Sequence, residues 1–208
     1  MYMKEAIITR VSGEIDWTKI PSVAIDELVL VDHTDVTASA QICYDEEALY
    51  LHLSAQETEI RAEERGPVGT PCSDSCLEFF FCPMENDTRY FNIEFNPNTC
   101  LYLGVGSSVQ TLTRLIPEEE ENNGMEYNFH PVVKFVEGGW EITYRVPYDF
   151  IRRFFPEFEA FSGKKIRANF YKCADMTSEP HYLAWNPITR TGVSVFHTPS
   201  QFGMLQFQ

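Results

Sequence analysis

No stretch of this sequence is apolar over enough residues to cross a bilayer. The opening residues, MYMKEAIITR, lack the apolar core of a secretory leader. As it stands the chain reads as cytoplasmic, and as extracellular if a leader has been removed. Basic residues are scarce: 16 Lys and Arg against 31 Asp and Glu, a net charge of −15. So acidic a chain repels phosphate backbones and anionic lipid, which argues against nucleic acid and membrane surfaces as partners. Neutral ligands, cations and basic partners stay open. There is no internal repeat, low-complexity tract or linker, so residues 1–208 read as a single domain. Cysteines number six, at 43, 72, 76, 82, 100 and 173. A chain this long needs no disulfide staples, and Cys72-x-x-x-Cys76 is not a zinc-ribbon spacing. The thiols read as small buried hydrophobes.

Aromatic residues are abundant, with 16 Phe and 10 Tyr. They favour strands, and the dominant hydrophobic period is two. TASAQICY and the Leu49, Leu51, Leu53 alternation flank Asp45-Glu46-Glu47 as a hairpin. SCLEFFFCP, RYFNIEFNP and TCLYLGVG follow as a meander, with Leu77, Phe79 and Phe81 on one face and Cys76, Glu78, Phe80 and Cys82 on the other. The polar loop Glu57–Thr70 precedes it. A second hairpin turns at Glu137-Gly138-Gly139 and aligns Trp140, Ile142, Tyr144 and Val146 as core. YDFIRRFF is the best helix candidate, stopped by Pro156. Residues 166–173 and 204–207 read as further strands, and Pro117–Gly124 as a solvated loop with a cation site as the alternative. The fold expected is all-β: an antiparallel β-sandwich, immunoglobulin-like or jelly-roll-like in its layers, with one short helix.

Two features suggest chemistry. In the meander, Glu78, Asn92, Glu94 and Asn96 share the polar face of neighbouring strands. Two carboxylates and two amides mix donors and acceptors, which suits sugar hydroxyls, whereas a plain solvated sheet face is the alternative. Trp185 lies among turn formers in HYLAWNPITRTGVSVFHTPSQFGMLQFQ. There it reads either as a flat platform for a pyranose ring or as a plug on the end of the sandwich. Trp17 reads as edge packing.

The succession DSCLEFFFCP…RYFNIEFNP, GGWEITYRVPYDFI and RANFYKC…HYLAWNP…FHTPSQFGMLQF resembles the family 9 carbohydrate-binding modules from about Trp17 to the C-terminus. Asp74–Glu78 and the closing His197–Gly203 element carry it best. The resemblance implies a non-catalytic sandwich that holds a mono- or oligosaccharide between two tryptophans, in support of polysaccharide breakdown. On that basis Trp185 matches the C-terminal aromatic and Glu78 the acidic hydrogen-bonder. Asn92, Glu94, Asn96 and Tyr90 lie in the strand that adds polar contacts. The first tryptophan has no counterpart, since Cys72 or a neighbour stands in its place. Structural calcium is a further implication, with Asp32, Asp35, Asp74 and Asp87 as oxygen ligands, although their spacing is no calcium-loop motif. No catalytic residue is assigned, and the oligomeric state stays open. Two other classes remain: a glycoside hydrolase using Glu78 and Glu94, and a haem module drawing on His197, His181, Met84 or Met176.

Overall fold

The structure, a computed structural model, describes residues 2–116, 124–189, 192 and 194–208. Most of the expected Pro117–Gly124 loop therefore lies outside the described residues. In chain order the strands are β1 (Glu5–Arg10), β2 (Ser22–Ile25), β3 (Glu27–Leu28), β4 (Thr37–Tyr44), β5 (Ala48–Gln56), β6 (Cys76–Cys82) and β7 (Tyr90–Phe95). Then come β8 (Leu101–Gly106), β9 (Thr113–Arg114), β10 (Val132–Val136), β11 (Gly139–Pro147), the helix α1 (Tyr148–Phe154), β12 (Lys165–Ala174), β13 (His181–Ala184) and β14 (Gly203–Phe207). None of the described helices is long and apolar enough to cross a membrane.

One layer runs β10-β11-β5-β4, and the other runs β14-β12-β6-β7-β8-β9. Strand β1 joins them, with Glu5–Ile8 beside β14 and Thr9–Arg10 beside β4. Both of those pairings are parallel, so the sheet is mixed and not purely antiparallel as expected. The reason is non-local: β1 meets a strand at the far end of the chain, and a period-two pattern carries no direction.

The local elements follow from their residues. Between β4 and β5, Asp45 Oδ1 accepts from the amides of Glu47 and Ala48 at 2.8 and 3.1 Å, an Asx turn that sets the hairpin. Gly138 turns β10 into β11 with φ +72°, a conformation that favours glycine. Helix α1 buries Tyr148, Phe150 and Ile151, and Pro156 follows its last turn. Leu49, Leu51 and Leu53 of β5 and Trp140, Ile142, Tyr144 and Val146 of β11 belong to one buried cluster with Leu77, Phe79, Phe81, Phe91, Ile93 and Phe95 of β6 and β7. Burying each such side chain stabilises by about 1.5–3 kcal/mol.

The outer face of β6 and β7 departs from the expectation of a wet surface. Every residue of both strands is buried. A second apolar cluster of Phe80, Tyr90, Tyr171, Phe196 and Phe202 covers it. The cover is the chain that follows β13, tied down by the Tyr171 hydroxyl donating to Phe196 O at 3.0 Å. Trp17 lies at the edge, half-buried, with its ring 5.3 Å from that of His52.

Candidate functional site

Where the cover is incomplete, a cavity of about 370 Å³ opens on the outer face. That volume sits at the low end of small-ligand pockets, about 300–1,000 Å³. Glu78, Glu94 and Cys173 come from the sheet, and Cys72, Asp175, Tyr182 and the 194–197 segment form the surround. The carboxylates converge because of register: Glu78 of β6 stands directly opposite Glu94 of β7, and Tyr171 of β12 flanks Glu78 on the other side. Direct cross-strand neighbours have Cβ atoms about 4.5–5.5 Å apart.

Both carboxylates are buried, 2% and 6% exposed. Burial disfavours the charged form, and it pushes Glu94 up to about 7, against the hydrogen bond from Asn92 and the charge of Arg114. Burial first, then the charge of Glu94, drive Glu78 well above the usual carboxylate range. The Glu78 Oε1 atom accepts from Cys173 Sγ at 3.0 Å, and Oε2 has no hydrogen-bond partner. On the Glu94 side, Asn92 Nδ2 donates to Oε1 at 2.9 Å. The Tyr90 hydroxyl pairs with His197 Nδ1 at 2.7 Å. Burial lowers His197 to about 4, so this ring is neutral. Among the described residues no Lys or Arg lines the cavity, while Glu78, Glu94 and Asp175 all do. Such an acidic lining disfavours anions and is compatible with neutral hydroxylated molecules or cations.

The expected site residues divide. Glu78 and Glu94 line the cavity. Asn92 and Tyr90 stand behind it, each fully buried and bonded to a lining residue. Asn96 does not join them. Its amide donates to Asp74 Oδ2 and Glu64 O, and its oxygen accepts from the amides of Asn98 and Cys100, so it builds a turn.

Trp185 is a correction. It is 3% exposed and belongs to the inter-layer core, with its ring 5.8 Å from that of Phe170. A Cβ on Gly203 would lie 2.7 Å from Trp185 Cζ3, so that glycine makes room for the indole. The cause is strand parity. Leu183 and Trp185 face the core in phase, and Tyr182 takes the opposite face and lines the cavity. Period-two alternation thus persists through a segment that its turn formers disguise. Sequence reasoning missed Tyr182 for the same reason; Cys173 and Phe196 reach the cavity only through long-range packing, although the closing element already pointed to the neighbourhood of His197.

The calcium ligands do not assemble. Asp74 is consumed by the amides of Glu63 and Glu64, by Asn96 and by Arg61. Asp87 pairs with Arg89, and Asp35 with His33. Among the described residues, none of the four aspartates belongs to a group of three close ligand atoms. The haem candidates are scattered as well. His197 lines the cavity, and His181 accepts from Lys172 Nζ at 2.8 Å elsewhere. Met84 borders a different depression, and Met176 is exposed.

The profile of carbohydrate-binding family 9 matches residues 10–207. Three solved structures are similar over nearly all of both chains. A protein from Bacteroides uniformis whose suggested role is carbohydrate binding shares 25% identity, covers 100% of each chain and has a TM-score of 0.80. A family 9 module from Caldicellulosiruptor kristjanssonii, solved with glucose, shares 15% identity over 99% of this chain and 96% of its own, with a TM-score of 0.67. The same organism's family 9 module with cellotriose shares 14% over 99% and 94%, with a TM-score of 0.68. No curated protein sequence matches the chain significantly.

Proposed function

Because the chain belongs to carbohydrate-binding family 9, we propose that it binds a mono- or oligosaccharide, without catalysis, in the cavity bordered by Glu78, Glu94, Tyr182 and His197. The observation that carries this reading is the composition of the cavity: paired carboxyls, an imidazole and a phenol beside apolar Leu30, Val195 and Phe196, with no Lys or Arg among the described lining residues. Sugar hydroxyls both donate and accept, and such a set answers both roles. Burial favours the protonated, hydrogen-bond-donating form of both carboxyls. The aromatic partner for the sugar's C–H face is Tyr182, half-buried, with its hydroxyl held by Asp175. Phe196 already stacks on Tyr171 at 4.1 Å and 11°, which occupies one of its faces.

One stacking contact contributes about 0.5–1.5 kcal/mol beyond area burial, and each hydrogen bond about 1 kcal/mol net. After the cost of association, the sum gives micromolar to millimolar affinity. Calorimetry with glucose and cello-oligosaccharides tests this. Tyr182→Ala and Glu78→Gln are expected to weaken binding at least tenfold each. Unchanged affinity in both variants would refute the site, and no heat with any saccharide would refute the function.

A second reading, glycoside hydrolysis, has one observation in its favour. The carboxyl pair is buried and shifted upward, as a general acid requires. Both groups rise from adjacent strands of one wall, though, and do not flank a substrate from two sides. Release of chromophore from aryl glycosides, abolished by Glu78→Gln, would replace the binding reading with this one.

A further inference from the structure

Three side chains on the outer face bring candidate metal-ligand atoms together, and saccharide binding gives no account of the two thiols among them. Cys76 and Glu78 stand two residues apart on β6, on the same face, and Cys173 of β12 is the register partner of Cys76. One ligand atom from each lies within 4.8 Å of the other two. All three residues are buried. Cys173 Sγ donates to Glu78 Oε1 at 3.0 Å. Independently, Glu78 Oε2 is fully buried with no hydrogen-bond partner, an arrangement that normally costs about 1–3 kcal/mol. The neighbouring ammonium does not answer it, since Lys172 Nζ lies 3.0 Å from Glu57 instead. Among the described residues, no other His, Cys, Asp or Glu side chains form a comparable group.

We propose that Cys76, Glu78 and Cys173 form a binding site for a soft divalent cation of the Zn²⁺ type. The donor set decides the class. Two thiolates and a carboxylate suit zinc far better than calcium or magnesium, which take oxygen ligands. Size agrees as well. Zinc–sulfur bonds of about 2.3 Å in tetrahedral geometry put two sulfurs about 3.8 Å apart, and the three ligand atoms here lie within 4.8 Å of one another. The donors sit on two hydrogen-bonded strands and are pre-organised by register. Glu78 and Cys173 line the cavity, so the fourth coordination position faces it and stays open to water or a ligand donor. Each thiol releases its proton to solvent as its sulfur binds the metal. This site does not depend on the saccharide reading.

The test uses the reduced, chelator-treated full chain and Co²⁺ as a spectroscopic stand-in for zinc, with no sugar present. One equivalent of Co²⁺ is expected to give sulfur-to-cobalt charge-transfer absorption and the intense visible bands of a four-coordinate ion, both displaced by Zn²⁺. Cys76→Ser and Cys173→Ser should each lose about half of the charge-transfer intensity and bind at least tenfold more weakly. Glu78→Gln should keep that absorption and bind at least tenfold more weakly. Cys43→Ser should match the parent. A measurement on the unaltered chain covers variants that fail to fold: Zn²⁺ should protect Cys76 and Cys173, and not Cys43, from alkylation mapped by mass spectrometry. Absence of a sulfur-to-cobalt band in the reduced protein would overturn the proposal, as would alkylation of the pair unaffected by zinc. Recovery of Cys76 and Cys173 only as a disulfide, with no metal bound after reduction, would also overturn it.

Discussion

Glu57 and Glu78 are both carboxylates buried in the same molecule, 5% and 2% exposed, and the protein treats them in opposite ways. Glu57 has every need met. Trp140 Nε1 donates to Oε1 at 2.6 Å, Ser75 Oγ donates to Oε2 at 3.0 Å, and the Lys172 ammonium sits 3.0 Å away. His181 completes the group by accepting from Lys172 through Nε2 while its Nδ1–H donates to Glu179 O. Glu78 has one thiol donor, an orphaned oxygen and a second carboxyl beside it. A buried charge that is paired and fully bonded belongs to the scaffold. A buried carboxyl left short of partners, in a cavity, marks a place built for something else. That contrast supports the cavity as the proposed binding site, while the Glu57 cluster joins Trp140 of one layer to Lys172 of the other.

The contrast can be broken most sharply at Glu57. Glu57→Gln strands the Lys172 ammonium in the interior, and breaking such a pair costs about 3–5 kcal/mol. Urea unfolding should show that loss, and little change would mean that Lys172 finds water or another partner. Glu94→Gln should act in the reverse direction. The folded-state pKa of Glu94, about 7, lies above its ordinary value, so the native state binds the extra proton. Stability is then fully present below about pH 4.5 and falls as pH rises through 7, by up to about 1.4 kcal/mol per unit. The variant should lose that slope and exceed the parent by roughly 2–4 kcal/mol at pH 8; a parallel pH profile would contradict the assignment.

Gly203→Ala presses a methyl group into Trp185 and should cost about 1–3 kcal/mol of stability. Saccharide affinity of the folded fraction should not change, which separates the core indole from the cavity. The smallest effect is expected at Tyr90. Tyr90→Phe frees His197 Nδ1, and about 1 kcal/mol of saccharide affinity should go with that hydrogen bond. Calorimetry at fixed pH reads it, and an unaltered affinity would show that His197 needs no such anchor.

Much of the architecture was legible before any coordinates. The β4–β5 hairpin, the β6–β7–β8 meander, the β10–β11 hairpin and helix α1 all stand where alternation and turn chemistry put them. That Glu78 and Glu94 share one face of neighbouring strands was legible too, whereas their direct opposition was not, since residues 83–89 separate the two strands and leave the register open. Strand β13 was hidden by the turn formers around it, and Trp185 was misread with it.

Local chemistry along the chain thus decided the two hairpins, the meander and the helix, and which residues of each strand share a face, since these depend on neighbours a few residues away. Long-range packing alone decided the parallel placement of β1, the burial of the polar face and the meeting of Cys76 with Cys173. Each of those brings together residues far apart in the chain, and a sequence period records orientation within a strand but not what lands upon it.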